Sequence, residues 1–273
     1  MALDKNGQET LEELLKELHL PTIRRGYEEL ARQAQQEALS YEQYLLGLAQ
    51  RECQERRAHR IERLLRESRL PLEKSWPALD LKRLPGKVLQ QARMLLEGTF
   101  VDRCENVLAF GAPGSGKTHL LAAIAQELVR SGRRVLFTTT GLLVQDLLVA
   151  KRDLKLSRVL KRLASYAVLI LDDLGYVQQS REEMEVLFTL LAERYERGSV
   201  MLTSNLPFSG WEAIFKDPMT TAAAIDRIVH HAIILEMAGP SIRGEEALGR
   251  LAAQPASSGE DAEPTPPDAP ENT

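Results

Sequence analysis

The sequence predicts an α/β fold, a parallel sheet covered by helices on both faces and preceded by a helical module. Three observations carry that prediction. From residue 105 onward, short apolar runs alternate with helical stretches, the pattern of strands buried on both faces. A complete G-x-x-x-x-G-K-T run at residues 111–118 lies between the first apolar run and a helical stretch. Residues 9–70 read as helices.

The helical module comes first. Leu11, Leu14, Leu15 and Leu18 give i, i+3, i+4, i+7 spacing, stopped near Pro21. The stretch 22–38 then places Tyr27, Leu30 and Ala34 on one helical face. Ser40, with Gln43 three positions on, has the form of a capping box for a third helix through Leu45, Leu46 and Leu48. Whether that helix breaks before residue 70 is not decided by its pattern. Pro71, Pro77, Pro85 and Gly86 punctuate a connector, so the expected organisation is a helical partner- or DNA-interaction domain at 1–70, a connector at 71–86 and a core at 87–251.

In the core, a helical pattern at 87–97 precedes the alternation. Expected strands are 106–110, 134–138, 167–171, 200–203 and 232–236, with helices near 118–130, 141–164, 181–197 and 220–230. Residues 252–273 are rich in Pro, Ala and acids without apolar periodicity, which predicts a disordered tail. The tail also distorts the net charge of −4: removing its five acids leaves the preceding 251 residues at +1.

The composition, 44% hydrophobic and 27% charged, fits a soluble globular protein. No run approaches the ~18 apolar residues of a membrane span, and the N-terminus lacks a basic-then-apolar signal pattern. A cytoplasmic protein with no membrane partner is expected. Cys53 and Cys104 match no metal or redox spacing, so reduced thiols are expected.

The glycine-rich run has a specific chemistry. Glycines let the backbone wrap a polyphosphate, so that N–H groups and the following helix N-terminus face the anion. Lys117 would reach the β- and γ-phosphates of ATP, and the Thr118 hydroxyl would bind Mg²⁺. The expected nucleotide-contacting set is Gly111, Pro113, Gly114, Ser115, Gly116, Lys117, Thr118 and the following His119. A matching acidic strand, AVLILDD at 167–173, delivers Asp172 and Asp173 at its carboxyl end, where ligands bind in such sheets. Asp172 is the candidate metal residue and Asp173 the candidate for positioning or activating water.

Thr203-Ser204-Asn205 ends the next strand. The Asn205 amide suits the lytic water, and it equally suits an Asx-type turn before Pro207. Arg227 fits either a surface ion pair or a finger reaching a neighbouring subunit's γ-phosphate. Arg243 is a candidate for phosphate contact within its own subunit.

Two basic clusters point to nucleic acid. Arg51, Arg56, Arg57, Arg60, Arg63, Arg66 and Arg69 share one helical stretch with four acids. Lys151, Arg152, Lys155, Arg158, Lys161 and Arg162 are diluted only by Asp153. Few aromatics accompany either cluster, which favours contact with the backbone of duplex DNA over base stacking. The candidate DNA contacts are Arg56, Arg57, Arg60, Arg63, Lys151, Arg152, Lys155 and Arg158. The five histidines show no ligand or triad pattern.

Together these motifs resemble the IstB family of ATP-binding helpers in insertion-sequence transposition, relatives of the DnaC-type helicase loaders in the AAA+ class. The resemblance spans roughly residues 9–250 and rests on Arg56-Arg57, the LPLEKS connector, GAPGSGKTHLLAAIA, LASYAVLILDDLG, LTSN, IDRIVHHA and GPSIR. It implies an AAA+ P-loop sheet of order 5-1-4-3-2, ATP hydrolysis, homo-oligomerisation around duplex DNA and an IstA-type transposase partner. It also implies that Asn205 senses nucleotide state, that Arg227 is a finger supplied in trans and that Arg243 is a second sensor. Ile242 stands where the family has Tyr, Ala167 where an acid is common, and Ser68-Arg69-Leu70 where an aromatic usually precedes the proline. A replicative helicase loader of the DnaC type is the nearest alternative. A small-molecule kinase leaves Asn205, Arg227 and Arg243 without roles, and a non-hydrolysing scaffold leaves Asp172-Asp173 without one.

Overall fold

A computed structural model of the chain describes residues 4–175, 180–211 and 218–237. Its first three helices are α1 (Lys5–Glu17), α2 (Pro21–Gln36) and α3 (Tyr41–Ser68). Pro21 occupies the first turn of α2, where a missing N–H costs nothing. The capping box at α3 is formed: Gln43 N donates to Ser40 Oγ at 3.2 Å, and Ser40 N donates to the Gln43 side chain at 2.8 Å. The helix then runs unbroken for 28 residues, until Arg69 takes a left-handed conformation at φ 57°.

Helices α2 and α3 are tied by a buried acid. Glu52 is 3% exposed and accepts from Thr22 N at 2.9 Å, Ile23 N at 3.1 Å and Arg56 Nε at 2.7 Å. Thr22 and Ile23 are first-turn donors of α2, so Glu52 caps that helix from α3. Burial raises the Glu52 carboxyl, but the bonds from Arg56, Ile23 and Thr22 outweigh it and hold the group below the usual carboxylate range.

The connector includes a 3-10 turn at Leu81–Arg83 and leads to α4 (Gly86–Leu96) and α5 (Thr99–Asp102). The core continues with β1 (Asn106–Gly111), α6 (Lys117–Arg130), β2 (Val135–Thr139), α7 (Thr140–Arg152), α8 (Leu156–Ala164), β3 (Val168–Leu174), α9 (Arg181–Arg194), β4 (Ser199–Ser204), α10 (Pro218–Val229) and β5 (Ala232–Met237). The five strands are parallel, in the order β2-β3-β4-β1-β5. Read from β5, this is the 5-1-4-3-2 order that the resemblance implied.

Strand alternation builds a core on each face. Val107, Ala109, Ile170, Met201 and Leu235 pack with Leu121, Ile124 and Leu128 of α6 and with Leu64 of α3. Leu108, Leu169, Leu171, Val200 and Leu202 pack with Leu143 and Leu147 of α7 and with Leu187 and Leu190 of α9. The long α3 thereby joins the first core through its last turns.

Two expected helices end early. The stretch expected as one helix at 141–164 is a hairpin of α7 and α8, turned at Leu154 with φ 59°. Leu154 N donates to Lys151 O and Lys155 N to Ala150 O, which satisfies the last carbonyls of α7. Helix α9 stops at Arg194 rather than near 197. Glu196 is left-handed at φ 57°, and Arg194 is buried with its guanidinium donating to Leu163 O, Tyr166 O, Ala167 O and Ser199 O at 2.9–3.1 Å. Burial pushes this guanidinium down to about 10, still charged at neutral pH. Gly198 makes room for it, because a Cβ there would lie 2.6 Å from Arg194 Nη2.

Candidate nucleotide site

The phosphate loop connects β1 to α6, and its backbone explains its glycines. Gly114 and Gly116 have φ 80° and 90°, conformations that a side chain disfavours. A Cβ on Gly111 would lie 2.5 Å from Met237 O of β5. Gly116 begins α6 without a side-chain cap, so the first amide groups of a 14-residue helix face the loop. Lys117 is folded over the loop, with Nζ donating to Gly111 O at 2.8 Å and Ala112 O at 2.9 Å. The Ser115 hydroxyl is buried without a hydrogen-bond partner among the described residues.

Asp172 comes to this loop from the carboxyl end of β3 and is 6% exposed. Its Oδ1 accepts from Thr118 Oγ1 at 2.9 Å and from Thr203 Oγ1 at 2.6 Å. Thr203 Oγ1 in turn accepts from Asp173 N at 2.9 Å. Asp173 is exposed and left-handed at φ 60°, and the β3–β4 register shifts between Leu171 and Leu174. That bulge separates the two acids, Asp172 buried beside the loop and Asp173 open to solvent. Thr140 Oγ1 completes the support by donating to Asp172 O at 3.0 Å. An uncapped helix start, a lysine and a hydroxyl beside a carboxylate suit a polyphosphate with a hard, oxygen-preferring cation, so the residues fit Mg²⁺.

Asn205 follows β4. The turn chemistry belongs to its neighbour: Ser204 Oγ donates to Leu174 O at 2.9 Å and accepts from Leu206 N at 3.2 Å. Asn205 Oδ1 is buried with no hydrogen-bond partner among the described residues. The Asx-turn alternative is thereby corrected, since the Asn205 side chain does not make the turn.

Of the other expected nucleotide residues, His119 turns its ring to the connector, and Arg243 is not among the described residues. His119 Nε2 is 3.1 Å from Ser75 O in the connector, because two residues along a helix rotate it away from Lys117. The same connector is latched by Gln126, whose Nε2 donates to Pro71 O at 3.0 Å and Lys74 O at 3.1 Å. The tail at 252–273 also lies outside the described residues.

Arg227 is far from its own loop. Its guanidinium lies 4.7 Å from the Phe188 ring centroid, and it lines a small cavity with Cys104, Asn106 and Tyr195 at the amino ends of the strands. The loop is at the opposite edge, about 17 Å away along β1.

The basic residues divide by partner. Arg56 donates to Glu52 and to His19 O, Arg63 pairs with Glu67 at 3.9 Å, Lys151 with Glu185 at 2.9 Å and Lys155 with Asp153 at 3.1 Å. Arg57, Arg60, Arg152 and Arg158 are exposed and form no ion pair among the described residues. Among those residues, no helix is long and apolar enough to cross a membrane.

The family described as IstB-like ATP binding protein matches residues 13–248. The chain belongs to that family. An insertion sequence ATP-binding protein of Sinorhizobium fredii is 42% identical over 250 residues, covering 89% of this chain and 84% of the relative. The IS21 ATP-binding protein of Pseudomonas aeruginosa is 38% identical, covering 86% and 89%. Among solved structures, DnaI has a TM-score of 0.51 at 26% identity, covering 63% of this chain and 94% of that one. The AMPPCP-bound DnaA of Aquifex aeolicus has a TM-score of 0.52 at 16% identity, covering 70% and 58%, and shows the shared fold. This IstB-like chain is therefore an ATP-binding protein with an AAA+ P-loop fold.

Sequence reasoning passed over Thr203 and Thr140, which orient Asp172. Their signal was a threonine near the end of β4 and another opening α7 just after β2, a feature shared by many ordinary strands.

Proposed function

We propose that this IstB-like protein is an ATP hydrolase that assembles on duplex DNA and assists an insertion-sequence transposase, using hydrolysis for target-site selection and disassembly. The observation that carries the hydrolysis is the convergence of Thr118 and Thr203 on Asp172 Oδ1 beside the phosphate loop. When bound, Mg²⁺ supplies charge neutralisation on the β- and γ-phosphates, and Thr118 and Asp172 would hold it. Lys117 exchanges its loop carbonyls for phosphate oxygens. Asp173 and Asn205 orient or activate the attacking water. Arg227 acts in trans, which its distance from its own loop supports, and the homo-oligomer thus completes each site.

Residues 1–70 are assigned to partner and DNA interaction and 87–251 to the ATPase core. The names of the relatives at 38% and 42% identity favour an insertion-sequence helper, while DnaI at 26% points to a common loader-type core. ATP turnover, measured with and without duplex DNA, tests the proposal. Mg²⁺-dependent turnover that rises on DNA and disappears in Lys117→Ala is expected. An absence of turnover under every condition would overturn it.

A further inference from the structure

The two basic clusters, far apart in sequence, meet at a cleft beside the sheet. Its volume is about 260 Å³, and it is lined by Arg66, Arg69, Asp146 and Arg162 together with Leu136 and Thr138 from the edge strand β2. The two arginine-bearing ends are anchored. At the end of α3, Ser68 Oγ donates to Leu65 O and accepts from Leu70 N, and Leu64 and Leu70 are buried in the core. At the end of α8, Leu163 is 1% exposed and its carbonyl accepts from Arg194.

The charges lining the cleft do not cancel. Glu67 also lines the cleft, but it is engaged by Arg63 at 3.9 Å and Arg134 at 4.0 Å. Arg66, Arg69 and Arg162 are exposed and form no ion pair among the described residues. Three cations thus stand against one uncompensated carboxylate, Asp146. The outward face of α8 extends this field with Arg158 and Lys161, while Leu156, Val159 and Leu160 pack inward.

We infer that this cleft grips a phosphodiester of the DNA backbone, with Arg66 and Arg69 of α3 and Arg162 of α8 as its ligands. Guanidinium forks match phosphate oxygens in two-point contacts, and pinned helix ends present them at low entropic cost. The volume falls below the ~300–1,000 Å³ of ordinary small-molecule sites, which favours a backbone segment over a whole free nucleotide. The unpaired Arg66, Arg69 and Arg162 thus join the candidate DNA contacts, of which Arg56, Arg63, Lys151 and Lys155 also pair with acids of the chain. The inference rests on the proposed DNA-binding function.

The test is binding of a fluorescent duplex to the full chain with a non-hydrolysable ATP analogue, across a salt series. Each of Arg66→Gln, Arg69→Gln and Arg162→Gln should weaken binding and reduce the slope of log K against log salt by about 1. Arg66→Lys should keep most of the slope, and Asp146→Asn should tighten binding by removing a charge that repels phosphate. Thermal melting of each variant reports that it is folded. Wild-type binding with unchanged slopes in all three glutamine variants would overturn the cleft alone. Loss of ATP-analogue binding in those variants, at unchanged DNA affinity, would instead make the cleft a nucleotide site and overturn the inference. A wild-type chain with no duplex binding would overturn the DNA function and the cleft with it.

Discussion

Asp172 acquires its character from three threonines. Thr118 and Thr203 donate to its Oδ1, Thr140 donates to its carbonyl, and Thr203 also accepts from Asp173 N. Replacing Thr203 by Val keeps the shape and leaves that N–H and one carboxylate bond unmatched. Thr203→Val should cost about 1–3 kcal/mol in thermal or denaturant unfolding, with a fall in turnover. Unchanged stability and turnover would remove Thr203 from the site. Asp172→Asn, a gentler change in volume, should lower kcat by roughly 10²–10³ in a steady-state assay without unfolding the chain. The loop and the acidic pair were legible because their residue types recur at fixed spacing. The bulge that separates Asp172 from Asp173, and the bond between His119 and Ser75, were not. They depend on strand register and helix phase, which no local spacing records.

At the scale of elements, strands and their order were legible from apolar alternation and from the resemblance, whereas helix ends were not. The breaks at Leu154 and Glu196 place non-glycine residues in left-handed conformations, where sequence gives weak warning. Arg194 accounts for the second break. Arg194→Met should strip the donor from four backbone carbonyls and cost about 3–5 kcal/mol, lowering Tm by about 10 °C with little change in ATP affinity. A melting curve unchanged by the substitution would show those bonds to be dispensable. The N-terminal helices carry an acid-sensitive tie instead. The folded Glu52 carboxyl lies below its ordinary value of 4.5, so its stabilisation is present above that value and fades as pH falls through the lower, folded value. Protection of the α2 amides against hydrogen exchange, taken relative to the intrinsic rate at each pH, should therefore fall in acid. Glu52→Gln should lower that protection already at neutral pH and flatten its acid dependence.

For the whole molecule, the two ends of the sheet carry different groups. The carboxyl edge carries the phosphate loop, Asp172 and Asn205, and the amino edge carries Arg227 beside Phe188 and Asn106. A heterologous, head-to-tail contact would bring one subunit's amino-edge arginine to the next subunit's loop, a geometry that closes rings or extends filaments. The family membership could be read from motifs, but the placement of these groups at opposite ends of the sheet required the fold. The most direct measurement mixes two inactive variants, Lys117→Ala and Arg227→Ala, on duplex DNA and follows ATP turnover. Each alone should assemble, with turnover absent in Lys117→Ala and slower by a factor of about 10³ or more in Arg227→Ala. Mixed, they should recover part of the wild-type rate, because some interfaces then pair an intact loop with an intact finger. Wild-type turnover by Arg227→Ala assembled on DNA, or no recovery in mixtures that demonstrably co-assemble, would contradict a site shared between subunits.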